Sequence, residues 1–260
     1  MKLSIYQIDA FADKIFSGNP AAVIPLESWL SDEIMQNIAL ENNLSETAFF
    51  IPTKNGFHIR WFTPAAEVDL CGHATLATAH VLFQHLNYSE KEILFESRSG
   101  ILKVKKENDL IVLDFPSSKV KEIETPENLK SAFNFQAQKC FKGRDDIMLI
   151  FENETDILNL QPDFQKIILS KTRGIIATAK SEKYDFVSRF FAPAVGVNED
   201  PVTGSAHTML IPFWSEQLNK TQMIAKQISA RGGILHCKNL GNRVEIGGKA
   251  VTFLVGKINF

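Results

Sequence analysis

Three side chains of this 260-residue sequence, Glu46, His73 and Asp200, could together move a proton. Glu46 stands at the start of an apolar run that continues through Phe50, and apolar surroundings disfavour a charged carboxylate. A carboxyl group in that setting is able to accept and to donate a proton in one reaction cycle. A glutamate at the start of a strand is otherwise exposed or hydrogen-bonded to nearby backbone, and the pattern alone leaves both interpretations open.

His73 begins a predicted apolar helix over residues 74–86, and Asp200 directly precedes Pro201. His73 either caps that helix or positions a substrate and relays a proton, and the helix N-terminus favours the neutral imidazole. Asp-Pro is common in plain turns. Alternatively, Asp200 shares a proton with Glu46 or fixes the tautomer of His73. Two carboxyl groups placed close together divide the acid and base roles between them.

Two Gly-x-Ala motifs each open an apolar helix, the first at Gly72 and the second at Gly204. A helix that is apolar on every side belongs in a core, and its first backbone N–H groups then need a partner. Together with the helix dipole, two such ends favour a carboxylate or a phosphate. The alternative is that Ser205 and local turns cap these helices without any ligand.

The two Gly-x-Ala motifs belong to a longer internal repeat. The segment 62–65 leads to Gly72 as the segment 191–194 leads to Gly204, and the offset drifts only from about 129 to about 133 residues. A repeat of this length predicts a duplicated domain, and a cleft between two domains is a favoured place for a small molecule. The polar segment 116–128 is the best candidate for the linker.

The predicted elements define an α+β fold with two mixed sheets or barrels, each wrapped on a central helix. We predict one domain over residues 1–116 and a second over residues 117–260, with the last strand free to return to the first domain. Besides the central helices after Gly72 and Gly204, patterning predicts helices after Ser31 and over 163–169, and strands near 47–51, 57–62, 93–95, 101–105, 110–115, 146–151, 174–179, 185–191, 234–237, 243–246 and 250–257.

Composition excludes several classes of partner. The chain is 45% hydrophobic and 22% charged, and a formal net charge of -2 gives no electrostatic attraction to nucleic acid or to an anionic membrane. No apolar stretch approaches the roughly 20 residues that span a bilayer. The odd number of cysteines, Cys71, Cys140 and Cys237, argues against a disulfide framework and predicts a reduced, cytoplasmic location.

Four blocks of the sequence resemble the PhzF family, the phenazine biosynthesis-like proteins, whose fold is related to that of diaminopimelate epimerase. They occur in the family's order and cover the chain nearly from end to end. The blocks are residues 18–23 (Gly-Asn-Pro-Ala-Ala-Val), 43–49 (Asn-Leu-Ser-Glu-Thr-Ala-Phe), 70–75 (Leu-Cys-Gly-His-Ala-Thr) and 199–206 (Glu-Asp-Pro-Val-Thr-Gly-Ser-Ala).

The resemblance implies two pseudo-symmetric halves, each a sheet curled around a central helix, with the active site between them in a homodimer. It also implies acid–base catalysis on a small carboxylate substrate without cofactor or metal; the type member isomerises a dihydro-hydroxyanthranilate. Glu46 stands at the family's catalytic glutamate, and His73, Asp200 and Ser205 stand at positions that line the site. Backbone N–H groups at Gly72, His73, Gly204 and Ser205 are implied to hold the substrate carboxylate, with Asn19, Cys71 and Thr203 as further substrate-binding residues.

Two alternatives stay open after the resemblance. Racemases related to diaminopimelate epimerase use one cysteine from each half, and this chain offers Cys71 in the first half but no cysteine between Pro201 and Gly204. Cys71 is therefore either the thiol of a cysteine-assisted racemase or a small buried apolar residue. The other alternative is a non-catalytic member that binds a metabolite or a protein, against which Glu46 counts.

Overall fold

The computed structural model describes residues 2–259, which divide into two compact units. Unit 1 contains the chain up to Phe115 and returns from Ile246 onward, and unit 2 contains Pro116–Glu245. Each unit combines a mixed β-sheet with one long apolar helix, which is the α+β organisation that the sequence predicted.

The first part of the chain, up to residue 116, alternates strands with two helices. Its elements are β1 (Lys2–Ala10), β2 (Asn19–Pro25), α1 (Asp32–Asn42), β3 (Glu46–Thr53), β4 (Gly56–Phe62), β5 (Glu67–Val68), α2 (Gly72–Gln84), β6 (Glu92–Ser97), β7 (Gly100–Glu107) and β8 (Leu110–Pro116).

The remainder follows a similar plan with three additional short helices. Its elements are β9 (Lys121–Ile123), α3 (Glu127–Lys130), β10 (Lys139–Lys142), β11 (Asp146–Ile150), α4 (Glu154–Leu158), α5 (Phe164–Ile168), β12 (Gly174–Lys180), β13 (Phe186–Ala192), a 3₁₀ turn (Pro193–Val195), β14 (Val197–Asp200), α6 (Gly204–Leu218), β15 (Gln222–Gln227), β16 (Gly233–Asn239), β17 (Arg243–Gly248) and β18 (Ala250–Asn259).

The sheet of unit 1 runs in the order β18, β1, β2, β3, β4, β6, β7, β8. Two of its pairings are parallel, β2 with β3 and β4 with β6, and the others are antiparallel. Helix α2 packs against β1, β2 and β3. Helix α1 contributes Met35 and Ala39 to a core cluster with Ile24 and Phe49.

Unit 2 repeats this pairing pattern. Strands β11 and β12 are parallel, as β2 and β3 are, and β13 pairs in parallel with β15, as β4 does with β6. Short strand β14 pairs with β13 as β5 pairs with β4. The same strand connectivity in both units is the structural form of the repeat found in the sequence.

The two long helices are the most deeply buried helices of their units. Helix α2 buries nine of its 13 residues and α6 buries nine of its 15. Alanine and other small residues let the strands approach α2 closely, while Trp214 stacks on Phe186 in unit 2 at a centroid distance of 5.7 Å. Pro212 lies inside α6 without ending the helix. Both helices thus begin among buried residues, where the backbone N–H groups of a first turn need partners.

Two expectations from the sequence are corrected here. Segment 116–128 is not a bare linker, because β9 lies within it and pairs with β10 of unit 2. With three largely exposed residues, β9 has too short a pattern to be detected from hydrophobicity. Ser205 is not an N-cap, because α6 begins one residue earlier and its N-cap is Thr203. The predicted cap Ser31 is confirmed, and its Oγ accepts a hydrogen bond from the backbone of Ile34.

Within residues 2–259, none of the helices combines the length and the apolar character that crossing a membrane requires. The three cysteines are free thiols, and all three are buried.

The turn before β2 depends on the small size of Gly18. Its φ is +69°, and a Cβ at this position would lie 2.2 Å from the carbonyl oxygen of Ala10. Backbone atoms cannot move aside as a flexible side chain can. Gly100 also has a positive φ, +95°, but no atom of the described residues lies within 4 Å of the place that its Cβ would take. Comparing substitutions at Gly18 and at Gly100 therefore separates the cost of steric overlap from the cost of backbone strain.

We expect Gly18→Ala to lower the free energy of unfolding by about 3 kcal/mol or more, because it adds steric overlap to left-handed strain. Gly100→Ala, the matched control in the same unit, is expected to cost only about 1 kcal/mol from strain alone. Urea unfolding of both variants and the parent chain measures the difference. Equal losses would contradict the role given to the Ala10 carbonyl.

Candidate active site

Glu46 is placed by the end of α1 and the start of β3. Helix α1 ends at Asn43, which adopts the left-handed conformation, and Asn42 donates a hydrogen bond to the hydroxyl of Thr47 at 3.1 Å. Glu46 is the first residue of β3 and lies opposite Ala21 of parallel strand β2. Its side chain is 18% exposed, so it is neither deeply buried nor a freely solvated surface carboxylate.

His73 meets Glu46 from the first turn of α2. Its Nε2 lies 3.0 Å from Oε2 of Glu46, and the His73 side chain is only 6% exposed. The two atoms are out of line for a hydrogen bond, so within residues 2–259 both are buried without an aligned hydrogen-bond partner. Buried polar atoms are usually satisfied. Their state fits groups that make their proper hydrogen bonds to a substrate.

The opposite edge of the His73 ring is held by two further residues named in the sequence analysis. Nδ1 lies 3.2 Å from Nδ2 of Asn19 and 3.5 Å from Sγ of Cys71. Asn19 is fully buried at the start of β2, and Cys71 is the N-cap residue of α2. An amide suits both states of the ring, since its N–H donates to a neutral Nδ1 and, after a half rotation, its oxygen accepts from a protonated one.

The surroundings shift the pKa values of His73 and Cys71. Burial lowers the pKa of His73, but the facing Cys71 and Glu46 side chains outweigh burial and raise the pKa well above the ordinary histidine value. This direction runs against the neutral His73 expected from the sequence, in which the Glu46 contact is invisible. Burial, with the nearby Glu46 charge, raises the pKa of the Cys71 thiol, which keeps it protonated near neutral pH.

Glu46, Cys71 and His73 could in principle surround a metal ion, since their donor atoms lie within 4.8 Å of one another. Their close approaches, however, use opposite nitrogens of the imidazole: Glu46 faces Nε2 and Cys71 faces Nδ1. One ion binds only one nitrogen of a ring. The arrangement therefore suits proton transfer along the ring better than shared coordination.

In unit 2, the remaining predicted residues form a second polar group at the start of α6. Asp200 ends β14, and its Oδ2 accepts a short hydrogen bond from the hydroxyl of Thr203. Gly204 and Ser205 are the first two residues of α6, and the carbonyl of Ser205 accepts a bond from Thr208. Sequence and structure thus both bring Asp200, Thr203 and Ser205 to one helix start.

The N-caps of α2 and α6 are built alike. The cap residues are Cys71 and Thr203, and neither side chain makes a capping hydrogen bond. In each helix the residue four positions later bonds to the cap carbonyl: Thr75 donates to Cys71 at 2.6 Å, and Nδ1 of His207 lies 2.8 Å from the Thr203 oxygen. First-turn N–H groups at Gly72 and Gly204 therefore receive no help from their own caps.

Two residues at these helix starts escaped the sequence analysis or were left aside there. His207 lies two residues after Ser205 in the sequence, but its partner, the carbonyl of Thr203, could not be inferred from the pattern. Gln227 was not considered, although it contacts Thr203 directly. A lone glutamine at the end of a strand has no local pattern that distinguishes it from a surface residue.

The fold is that of an epimerase-like protein. A hydroxyproline epimerase from Agrobacterium vitis, solved with bound trans-4-hydroxy-L-proline, matches with a TM-score of 0.66 over 99% of this chain and 92% of that chain. At 10% identity, this likeness shows the fold alone. It confirms the predicted diaminopimelate-epimerase-like fold class.

Closer matches define the family. The model of the phenazine biosynthesis-like proteins, PhzC-PhzF, matches residues 8–256. An uncharacterized isomerase of Pseudomonas aeruginosa is 49% identical over 259 residues, covering 100% of both chains. The crystal structure of a PhzF-family phenazine biosynthesis protein from Enterococcus faecalis is 44% identical, with a TM-score of 0.97 over 100% of both chains. The chain belongs to the phenazine biosynthesis-like family, and it is an isomerase.

His207 provides a test of the α6 start through pH. Burial lowers its pKa to about 4, against the opposing effect of the Thr203 carbonyl. A histidine whose folded pKa lies below its unfolded pKa of about 6.5 stabilises the fold above that unfolded value, and its contribution is lost as pH falls toward the folded pKa. The contribution at stake is about 3 kcal/mol.

We expect His207→Asn to flatten the fall in unfolding free energy between pH 7 and pH 4, since Asn keeps a donor for the Thr203 carbonyl but does not titrate. Some slope will remain, because burial, aided by His85 and Lys106, also lowers the pKa of His80 to about 4. Urea unfolding at several pH values measures the slope, with His58→Asn as the control. An unchanged slope in His207→Asn would refute the assignment.

Proposed function

We propose that this isomerase moves a proton on a small carboxylate substrate, with Glu46 as general acid and base and without a cofactor. The observation that carries the proposal is the contact between Glu46 and His73. It joins a partly exposed carboxylate to a buried imidazole at 3.0 Å and leaves the contacting atom of each without an aligned partner among the described residues.

In the proposed reaction, Glu46 removes a proton from a substrate carbon next to an electron-withdrawing group. The C–H electron pair moves into the substrate, and the protonated Glu46 then returns the proton to a different carbon, so that no atom is gained or lost. A carboxyl group suits both steps because it is a base while ionised and an acid once it holds the proton. His73 balances the negative charge of Glu46 before the first step and after the second, held in orientation by Asn19 and Cys71.

The substrate carboxylate is proposed to bind at uncapped helix starts. Backbone N–H groups of Gly72 and His73 in α2, and of Gly204 and Ser205 in α6, lie in first turns whose cap side chains make no capping hydrogen bond to them. The positive end of a helix dipole adds to their attraction for an anion. Thr203, expected from the sequence to bind substrate, is proposed to orient Asp200 through its hydroxyl. That Asp200 assists the proton transfer is a proposal that follows from the family resemblance.

Replacement of the acid and base tests the proposal. We expect Glu46→Gln to slow proton exchange by about 10² to 10⁴-fold, because the amide keeps the shape but cannot carry the proton. Incorporation of solvent deuterium, followed by NMR on cyclic and amino-acid-like carboxylates including dihydro-hydroxyanthranilate, measures the rate. Glu41→Gln, at an exposed position of α1, is the matched control. Full exchange by Glu46→Gln would end the proposal.

A second candidate function follows from the thiol next to His73. Sγ of Cys71 lies 3.5 Å from Nδ1, so Glu46, His73 and Cys71 form a continuous chain of polar groups. That chain could supply a thiolate base to a cysteine-assisted racemase or epimerase. Against it stand the raised pKa of the Cys71 thiol and the presence of Thr203 rather than a second cysteine at the α6 cap.

Cys71→Ala distinguishes these two functions. If Glu46 is the acid and base, we expect the variant to keep deuterium exchange within about tenfold of the parent chain, since only a contact to Nδ1 is lost. If the thiol is the base, exchange falls as far as in Glu46→Gln, and the parent chain inverts the configuration at the substrate α-carbon. Chiral chromatography of the exchanged product measures inversion, with buried Cys237→Ala as the control.

The assembly follows from the family resemblance and the location from the odd number of cysteines, and both stay proposals. We propose a homodimer in the cytoplasm, with no nucleic acid or membrane as partner. Sedimentation equilibrium of the full chain tests the dimer, and a monomer at micromolar concentration would exclude it.

A further inference from the structure

Gln227 is a fully buried amide at the end of β15. Its position belongs to none of the motifs that define the family resemblance. A buried polar side chain in a mostly apolar unit has to be satisfied by hydrogen bonds. The partners of Gln227 are therefore informative about what it does.

Both ends of the amide bind the loop that leads into α6. Oε1 accepts a hydrogen bond from the backbone N–H of Thr203 at 2.8 Å, and Nε2 donates to the backbone carbonyl of Asp200 at 2.7 Å. Nε2 also lies 3.2 Å from the Thr203 hydroxyl, and Ser229 donates to the same Asp200 carbonyl at 3.1 Å. One side chain thus ties together the first and last residues of the segment 200–203.

An amide is the side chain that this loop requires. It presents one acceptor and one donor side by side, matching an N–H and a carbonyl that are three residues apart. Pro201 has no N–H with which to close the loop from within. Loss of the amide would remove the acceptor of the buried Thr203 N–H and would leave the Asp200 carbonyl with the Ser229 hydroxyl alone of these two donors.

We call the two hydrogen bonds from the Gln227 amide to Asp200 and Thr203 the clamp. The clamp also determines where the Asp200 carboxylate points. The Thr203 hydroxyl donates to Oδ2 of Asp200, so the carboxylate follows Thr203, whose backbone is held by Gln227 on one side and by His207 on the other. The titratable groups next to this loop include Asp200 itself, the neutral His207 of α6 and Arg173, which directly precedes β12 and whose charge interacts with Asp200.

Unit 1 has no such device at the equivalent place. The register of β6 on β4 and of β15 on β13 makes Ser97 the counterpart of Gln227. The Ser97 hydroxyl bonds the backbone of Gly100 and Ser99, within its own hairpin. Among the described residues, the amide clamp is therefore a feature of unit 2, although the equivalent loop of unit 1 also carries an acidic residue, Asp69.

We propose that Gln227 is a positioning residue of the isomerase: it fixes the segment 200–203 and thereby aims the Asp200 carboxylate and the α6 start during proton transfer. This inference rests on the proposed function given above. In a purely structural role, Gln227 would only satisfy the hydrogen-bonding groups of the buried loop. The rate of the reaction in the folded protein would then not depend on whether the clamp is formed.

Gln227→Glu converts the clamp into one that titrates. While protonated, the introduced carboxyl can still donate to the Asp200 carbonyl and accept from Thr203. Burial and the nearby Asp200 charge disfavour its ionisation, so its folded pKa lies above the usual carboxyl value. The clamp is then intact at low pH and lost as pH rises through that raised pKa. Gln222→Glu, at the exposed other end of the same strand, is the matched control.

Two readouts on the full chain separate the clamp from the catalysis. Hydrogen–deuterium exchange with mass spectrometry follows the amides of the segment 200–206, and NMR follows solvent deuterium incorporation into a carboxylate that the parent chain exchanges. At pH 8, relative to the parent chain at the same pH, we expect Gln227→Glu to expose this segment and to lower kcat by about tenfold or more, with parent-like behaviour at pH 5. Gln227→Met, which cannot hydrogen-bond, keeps the test valid if the acidic variant does not fold, and it is expected to be slow at both pH values.

The outcomes are distinct. Parent-like protection in Gln227→Glu at pH 8 would overturn the clamp, and a loosened segment with unchanged kcat would overturn the positioning role. If the parent chain exchanges no carboxylate probe, the proposed function fails and the positioning role fails with it. The protection data would then still decide whether the clamp exists.

Discussion

The contact between Glu46 and His73 constrains how the elements of the first unit are arranged. A carboxylate and an imidazole at 3.0 Å require that β3 and α2 start at the same place, although the two side chains lie far apart in the chain. The left-handed Asn43 turns the chain from α1 into β3, and small residues allow α2 to lie deep among the strands. Asn19 and Cys71 then hold the far edge of the ring. Each of these features has a local cause, and together they leave one reactive edge.

The second unit solves the same structural problem with different side chains. Thr75 and His207 occupy equivalent positions and bond equivalent cap carbonyls, one with a hydroxyl and the other with an imidazole. Burial keeps His207 neutral by lowering its pKa, whereas Glu46 and Cys71 raise that of His73. Duplication has therefore preserved the backbone of the helix start while the chemistry around it has diverged.

Much of the fold could be predicted from the sequence, because its causes are local. Long apolar helices, the cap at Ser31 and the strands with clear alternation all follow from neighbouring residues, and the internal repeat indicated the duplication. The short strands β9 and β14 could not be found, since three or four residues carry too little periodicity. The family is confirmed, while the roles of the individual site residues stay predictions.

The details of the site were less accessible because they depend on residues far apart in the chain. The upward shift of the His73 pKa could not be foreseen without its contact with Glu46. Gln227 was passed over because its partners lie 24 and 27 residues away. Thr203 and Ser205 are both good cap residues by type, and only the packing of α6 decides between them.

The paired caps also bear on how such enzymes change over evolution. Cys71 and Thr203 occupy the same place in two copies of one scaffold, and threonine and cysteine are similar in size. A single substitution at the second cap would give both copies a thiol without altering the backbone plan. The duplicated architecture thus separates the two proposed chemistries by one cap residue, so that divergence between them would need an exchange of cap residues rather than a rebuilt fold.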